Sequence, residues 1–195
     1  MSLKTDVLEA IAGKNRGLLV NDDDKIKILS VVEKLEDENP HPQPFKTPEL
    51  LEGNWRLLYT TSKSILGLNN FPLLQLGSIY QYIRMESNKI YNIAEINGLP
   101  FLEGLVSVVA SFSAISDHTI DVNFERSIIG LQRILNYISP VEFINQIESG
   151  KKFLPIDFNI TNDNQQGWLK ITYLDEDLRI GRGNQGNMFI LAKEK

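Results

Sequence analysis

Apolar residues recur at helical spacing near the start of the chain, where Val7, Leu8 and Ile11 mark a helix from Leu3 to Ala12 that Gly13 stops. A second helix follows. Asn21 can cap it, Asp22, Asp23 and Asp24 suit the positive end of its dipole, and Ile28, Val31, Val32 and Leu35 form one apolar face. Pro40, Pro42, Pro44 and Pro48 then break the pattern, since each removes a backbone donor and disfavours helix in the residue before it. Thr47-Pro48-Glu49 reads as one further helical turn before Gly53. The expected division is a helical lobe over 1–39, a proline-rich linker over 40–52 and a body over 53–195.

In that body the period falls to two. Trp55, Leu57 and Tyr59 alternate with Arg56, Leu58 and Thr60, which places the three rings and chains on one face of a strand. Further strand-like runs occur at Ile79–Met85, Lys89–Ile96, Leu105–Ser116, Thr119–Arg126, Trp168–Tyr173, Leu178–Gly183 and Met188–Ala192, with a candidate ninth at Phe153–Ile160. Turn residues between them, such as Glu86-Ser87-Asn88 and Asp175-Glu176, predict antiparallel hairpins. One inserted short helix is expected after Ser139-Pro140-Val141-Glu142, a cap, a first-turn proline and the carboxylate of a capping box. A meander of about eight antiparallel strands closes as a sandwich or a barrel; the short hairpins favour the barrel.

At 195 residues, the chain has room for one full core with an attached lobe. No run reaches the ~18 apolar residues of a spanning helix, and Met1-Ser2-Leu3-Lys4 opens no secretion signal, so a soluble chain is expected. The net charge is -5, of which -4 lies in residues 21–40. A near-neutral body with no basic stripe argues against nucleic acid as partner. Cysteine is absent and His41 and His118 stand far apart, so neither a metal site, a cofactor nor a cysteine nucleophile is expected. Gly181-Arg182-Gly183-Asn184-Gln185-Gly186 matches a dinucleotide fingerprint in letters, but a strand rather than a helix follows; the glycines suit a hairpin and close backbone approach. The acids of Asp175-Glu176-Asp177 read as a solvated turn, and no catalytic constellation stands out, so no enzyme is expected.

The distinctive residues are apolar ones in irregular places. Ile65 to Leu76, Gly98 to Leu102 and Ile128 to Leu131 are loop-like yet rich in Leu, Ile and Phe. Such loops either pack over the ends of a barrel or meet an apolar ligand or membrane. Leu66, Leu68 and Phe71 are the candidate membrane contacts. Tyrosines with an apolar body and a polar tip, pointing inward, would suit an amphipathic ligand.

Four segments carry a resemblance: Asn54-Trp55-Arg56-Leu57-Leu58-Tyr59-Thr60-Thr61-Ser62, Tyr91-Asn92-Ile93-Ala94-Glu95-Ile96, Phe124-Glu125-Arg126-Ser127, and Tyr173 to Asn184. Together they resemble the plastid lipid-associated proteins, or fibrillins, in their cyanobacterial form. Gly53-Asn54-Trp55 is also similar to the opening of the lipocalins. The resemblance implies a mainly β, lipocalin-like antiparallel barrel that binds a lipid, quinone or carotenoid without catalysis. It implies a place at thylakoid membranes or lipid globules: cytoplasmic or peripheral to thylakoids in a cyanobacterium, plastidic in a trimmed plant protein. A structural coat with a filled barrel is the alternative. The candidate ligand residues are Trp55, Tyr59, Tyr80, Tyr82, Phe124, Tyr173, Arg179 and Arg182. Lipocalin likeness further implies that Trp55 closes the barrel under an arginine, with Arg182 favoured over Arg179 because Gly181 and Gly183 flank it.

Overall fold

Alternation in the body becomes nine antiparallel strands in the computed structural model, which describes residues 2–70, 75–161 and 166–194. The strands are β1 (Gly53–Thr60), β2 (Gln75–Arg84), β3 (Lys89–Asn97), β4 (Gly104–Ala114), β5 (Thr119–Leu131), β6 (Ile156–Asn159), β7 (Gln166–Leu174), β8 (Leu178–Gly183) and β9 (Met188–Lys193). Their order is β4-β3-β2-β1-β9-β8-β7-β5, and β4 pairs with β5 from Gly104↔Leu131 to Ala114↔Ile120, which closes an eight-stranded barrel. Closure leaves no exposed edge among those eight. β5 is long enough to serve two partners along its other side. Thr119 to Asn123 pair with β7, and Arg126 to Ile129 pair with β6, the expected ninth strand, here an external flap.

The helices are α1 (Leu3–Ile11), α2 (Asp22–Asp37), α3 (Pro48–Leu51), α4 (Lys63–Leu66), α5 (Gln132–Leu135) and α6 (Pro140–Glu148). Asn21 caps α2 in a complete capping box: its side-chain oxygen accepts from the Asp24 backbone N–H, and the Asp24 carboxylate accepts from the Asn21 backbone N–H. Ser139 supplies only half of the expected box on α6, since its hydroxyl accepts from Glu142 N and no return bond forms.

Three apolar clusters result. The barrel interior holds Trp55, Leu57, Ile79, Ile90, Ala110, Phe112 and their neighbours. Outside, α1 and α2 lay Val7, Ile11, Ile28 and Val32 over Tyr59, Tyr173, Leu178, Ile180, Met188 and Ile190. On the opposite wall α6 lays Phe143, Ile144 and Ile147 over Tyr91, Ile93, Leu105 and Ile128. The N-terminal helices therefore sheathe the barrel and do not plug it.

Two tyrosines depart from strict alternation. The β1–β9 register shifts between Leu57 and Tyr59, and the β7–β8 register shifts between Ile171 and Tyr173. An extra residue in a strand turns every later side chain to the other face. Trp55, Leu57 and Ile171 thus face inward, whereas Tyr59 and Tyr173 lie under the helices.

Candidate ligand cavity

Hairpin connectivity gives the barrel two unlike ends. Glu86 to Asn88, Ser116 to His118 and Asp175 to Asp177 turn at one end, beside the start of β1. Trp55 closes that end. It is fully buried, and its indole N–H donates to the Leu51 carbonyl of α3 at 2.9 Å. The Arg179 guanidinium lies over the indole at 4.9 Å and the Lys193 ammonium at 5.3 Å. Arg179 and not Arg182 is the stacking arginine. The expectation failed on parity: Gly181 and Gly183 share a face with Arg179, so they give no room to Arg182. Arg182 instead points out, where its guanidinium holds Glu36 of α2 at 2.7 and 3.0 Å.

Above Trp55 the barrel is not filled. A half-enclosed cavity of about 520 Å³ remains, walled by Leu57, Ile79, Ile90, Val106, Val122, Phe124, Leu169, Phe189 and Leu191. It falls in the usual range of small-molecule sites, about 300–1,000 Å³. Gly181 and Gly183 border it, and their missing side chains keep it open on the β8 side. At Gly181 a Cβ would come within 3.1 Å of a Leu169 methyl, and at Gly183 within 3.2 Å of the Phe189 ring. Ser64, Ile65 and Leu68, from α4 and the turn after it, cover the mouth.

The cavity holds a short polar chain. Arg179 Nη2 donates to Gln81 Oε1 at 2.5 Å, and Gln81 Nε2 donates to Asn92 Oδ1 at 2.9 Å. Arg179 is 1% exposed, and its Nε and Nη1 have no hydrogen-bond acceptor among the described residues. Burial in apolar surroundings pushes its pKa down to about 9, which still leaves it cationic at neutral pH. Among the described residues no three His, Asp or Glu side chains gather to hold a metal ion.

Of the candidate ligand residues, Phe124 and Arg179 line the cavity and Trp55 floors it. Tyr80 borders it, but its ring, like that of Tyr82, packs against the outer cluster under α6. Tyr59, Tyr173 and Arg182 are outside, against the N-terminal helices. Leu68 is half-buried in the cavity wall, Leu66 is half-buried beside it, and Phe71 lies outside the described residues. Gln81 and Asn92 escaped sequence reasoning. The available signal was a polar residue on an otherwise apolar alternating face: Ile79, Gln81, Ile83 on one strand and Ile90, Asn92, Ala94 on the next.

The acidic turn is also more than solvated. Asp175 accepts from Asp177 N, Leu178 N, the Tyr173 hydroxyl and the Lys4 ammonium at 2.7 to 3.0 Å. These bonds hold its carboxyl below the usual range against the opposing effect of burial. They also tie α1 to the β7–β8 hairpin.

Small closed eight-stranded antiparallel barrels are either packed shut or left as a cup, and this one belongs to the cup-bearing class. The chain belongs to the PAP/fibrillin family, the plastid lipid-associated proteins, whose family model matches residues 1–192. It is 33% identical to the chloroplastic light-induced protein of Solanum demissum, over 98% of this chain and 67% of that one. It is 32% identical to the chromoplast-specific carotenoid-associated protein of Cucumis sativus, over 98% and 67%. With plastoglobulin-1 of Pisum sativum it shares 33%, over 98% and 61%. No solved structure matches it.

Proposed function

We propose that this protein is a non-catalytic carrier or store for a hydrophobic small molecule, working at the surface of photosynthetic membranes or lipid globules. The observation that carries the reading is the open apolar cavity in a chain of this family. Relatives named carotenoid-associated protein and plastoglobulin support it, as does the plastid location in their names. A second observation supports the surface. Leu99, Phe101 and Leu102 of the β3–β4 loop and Ile134 of α5 are all about half exposed or more, and they gather at the mouth end of the barrel. Exposed apolar residues grouped in this way mark an interaction surface.

The test fills the cup. Gly181→Val adds bulk where the nearest neighbour is the flexible end of Leu169, and the extended backbone of β8 accepts a β-branched residue. The wild-type protein should bind a neutral apolar fluorophore such as N-phenylnaphthylamine saturably. Gly181→Val, with an unchanged far-ultraviolet circular dichroism spectrum, should bind it about tenfold more weakly or worse. Equal binding by both would remove the cavity from the argument and leave the coat reading. Organic extracts of the protein taken from a photosynthetic host, read by mass spectrometry, would name the molecule.

A further inference from the structure

We infer that the cavity takes a long-chain carboxylate, head down, with the carboxylate on the free nitrogens of Arg179 and the chain rising between the apolar walls. The inference rests on the proposed reading of the cavity as a ligand cup and adds the chemical class of the ligand.

A buried charge is tolerated when it is paired and hydrogen-bonded, and it is expensive otherwise. Among the described residues no carboxylate lies within 4 Å of Arg179, whose partners are the Gln81 amide oxygen and the Trp55 ring face. Two of its three nitrogens lack an acceptor and are themselves covered, while other atoms of the side chain form part of the cavity lining, so a head group reaches those nitrogens when the guanidinium turns toward the cavity. An arginine needed only to close the barrel on Trp55 would be served by the ring face alone. One that keeps unused donors beneath an apolar cup is placed to receive an acceptor from a ligand.

Charge and shape select the acceptor. One guanidinium offers a single positive charge, which a monoanion neutralises, whereas a dianionic phosphate would leave net charge buried. Lys193, the other cation near Trp55, is outside the cavity lining, and its ammonium already donates to the carbonyls of Glu49 and Leu50. Charge-assisted bonds from arginine to carboxylate are roughly twice as strong as neutral ones, so a neutral alcohol or ester gains much less at the same place. The remainder of the wall is hydrocarbon from Leu57, Ile79, Val106, Val122, Phe124 and Leu191, suited to a chain. Quinones and carotenes carry no anionic group and would leave Arg179 as it is.

The experiment compares head groups on one chain. Oleate, oleyl alcohol and methyl oleate compete with N-phenylnaphthylamine on the wild-type protein below micellar concentrations. Oleate should displace the probe at a concentration about tenfold or more below either neutral analogue. In Arg179→Gln the preference should vanish while binding of the alcohol persists. Arg182→Gln, which alters an external ion pair, should keep it. Equal displacement by all three on the wild type overturns the carboxylate and leaves the cup reading intact. Failure of the probe itself to bind overturns both. A preference that survives in folded Arg179→Gln would move the head group elsewhere and overturn the assignment to Arg179. The wild-type comparison decides the carboxylate even where Arg179→Gln folds poorly.

Discussion

Arg126 and Asp157 show how a single ion pair fixes the flap beside the barrel. Arg126 Nε and Nη2 hold the two Asp157 oxygens at 2.8 and 2.6 Å, Nη2 also donates to the Lys151 carbonyl, and Phe153 N donates to the same carboxylate. The pair is largely buried, and the Arg126 guanidinium holds the Asp157 carboxyl below its ordinary range. A carboxylate depressed in the folded state stabilises above its unfolded pKa, near 3.9, and that stability is lost as pH falls through the lower folded value. Asp157→Asn should therefore cost about 3 kcal/mol in urea unfolding at pH 7, and the cost should shrink as the pH falls below the unfolded value. A cost unchanged by pH would show that packing, not charge, carries the site. The arginines of β8 teach a related lesson. Strand parity correctly sends Arg179 and Arg182 to opposite faces, but which face is inward depends on partners far away in sequence: Glu36 draws one out, and Trp55 with Gln81 receives the other.

At the scale of elements, the strands, the hairpins, the short α6 and both N-terminal helices were legible, because each has its own period and its own turn or cap residues. The inward set was legible only until the first bulge. No residue in Leu57-Leu58-Tyr59 or Ile171-Thr172-Tyr173 announces an extra residue, so the sequence pattern offers Tyr59 and Tyr173 to the interior, whereas the register shift turns them out. The β7 bulge is held from outside. Asn39, just after α2, donates its amide to the Thr172 carbonyl and accepts from Leu174 N, at 3.0 and 3.1 Å. Residues 1–39 thus support the barrel from outside, and their one backbone pairing with its ladder among the described residues is the isolated bridge of Arg16 to Tyr59. A chain beginning at Pro44 should keep β-type circular dichroism while losing about 3 kcal/mol, equivalent to a fall in Tm on the order of 10 °C. It should also bind more of an apolar dye, since Ile180, Met188 and Ile190 lose their cover. Loss of all β signal would mean that the helices are needed to form the sheet and do not merely shield it.

The two ends of the barrel differ in the side chains their turns present. The closed end turns on Glu86-Ser87-Asn88, Asp117-His118 and Asp175-Glu176-Asp177, hydrophilic residues with the exposed Ile115 beside them. The mouth end carries Leu99, Phe101 and Leu102, next to Arg133 and Ile134 through the Gln132 N to Glu103 O bond and the Arg133 guanidinium over the Phe101 ring at 5.9 Å. Ile129 and Ile156 pair across β5 and β6 on the same side. If the protein attaches to a lipid surface as proposed, that asymmetry predicts that the mouth, and with it the opening of the cavity, faces the lipid. Leu68, a candidate contact from sequence, sits half-buried in the cavity wall and is a weaker anchor than Phe101, which is 70% exposed. Burial of a Phe or Leu side chain in the lipid boundary contributes about 1.5–3 kcal/mol each, so three such residues would suffice for strong but reversible attachment. Changing Phe101, Leu102 and Ile134 to Ser together should reduce sedimentation with neutral liposomes by tenfold or more, about 1.4 kcal/mol at the least. With a near-neutral body, the wild-type protein should sediment almost equally in low and high salt. Binding that persists through the triple substitution, or that disappears in high salt, would place the contact on another surface and detach the cavity mouth from the membrane.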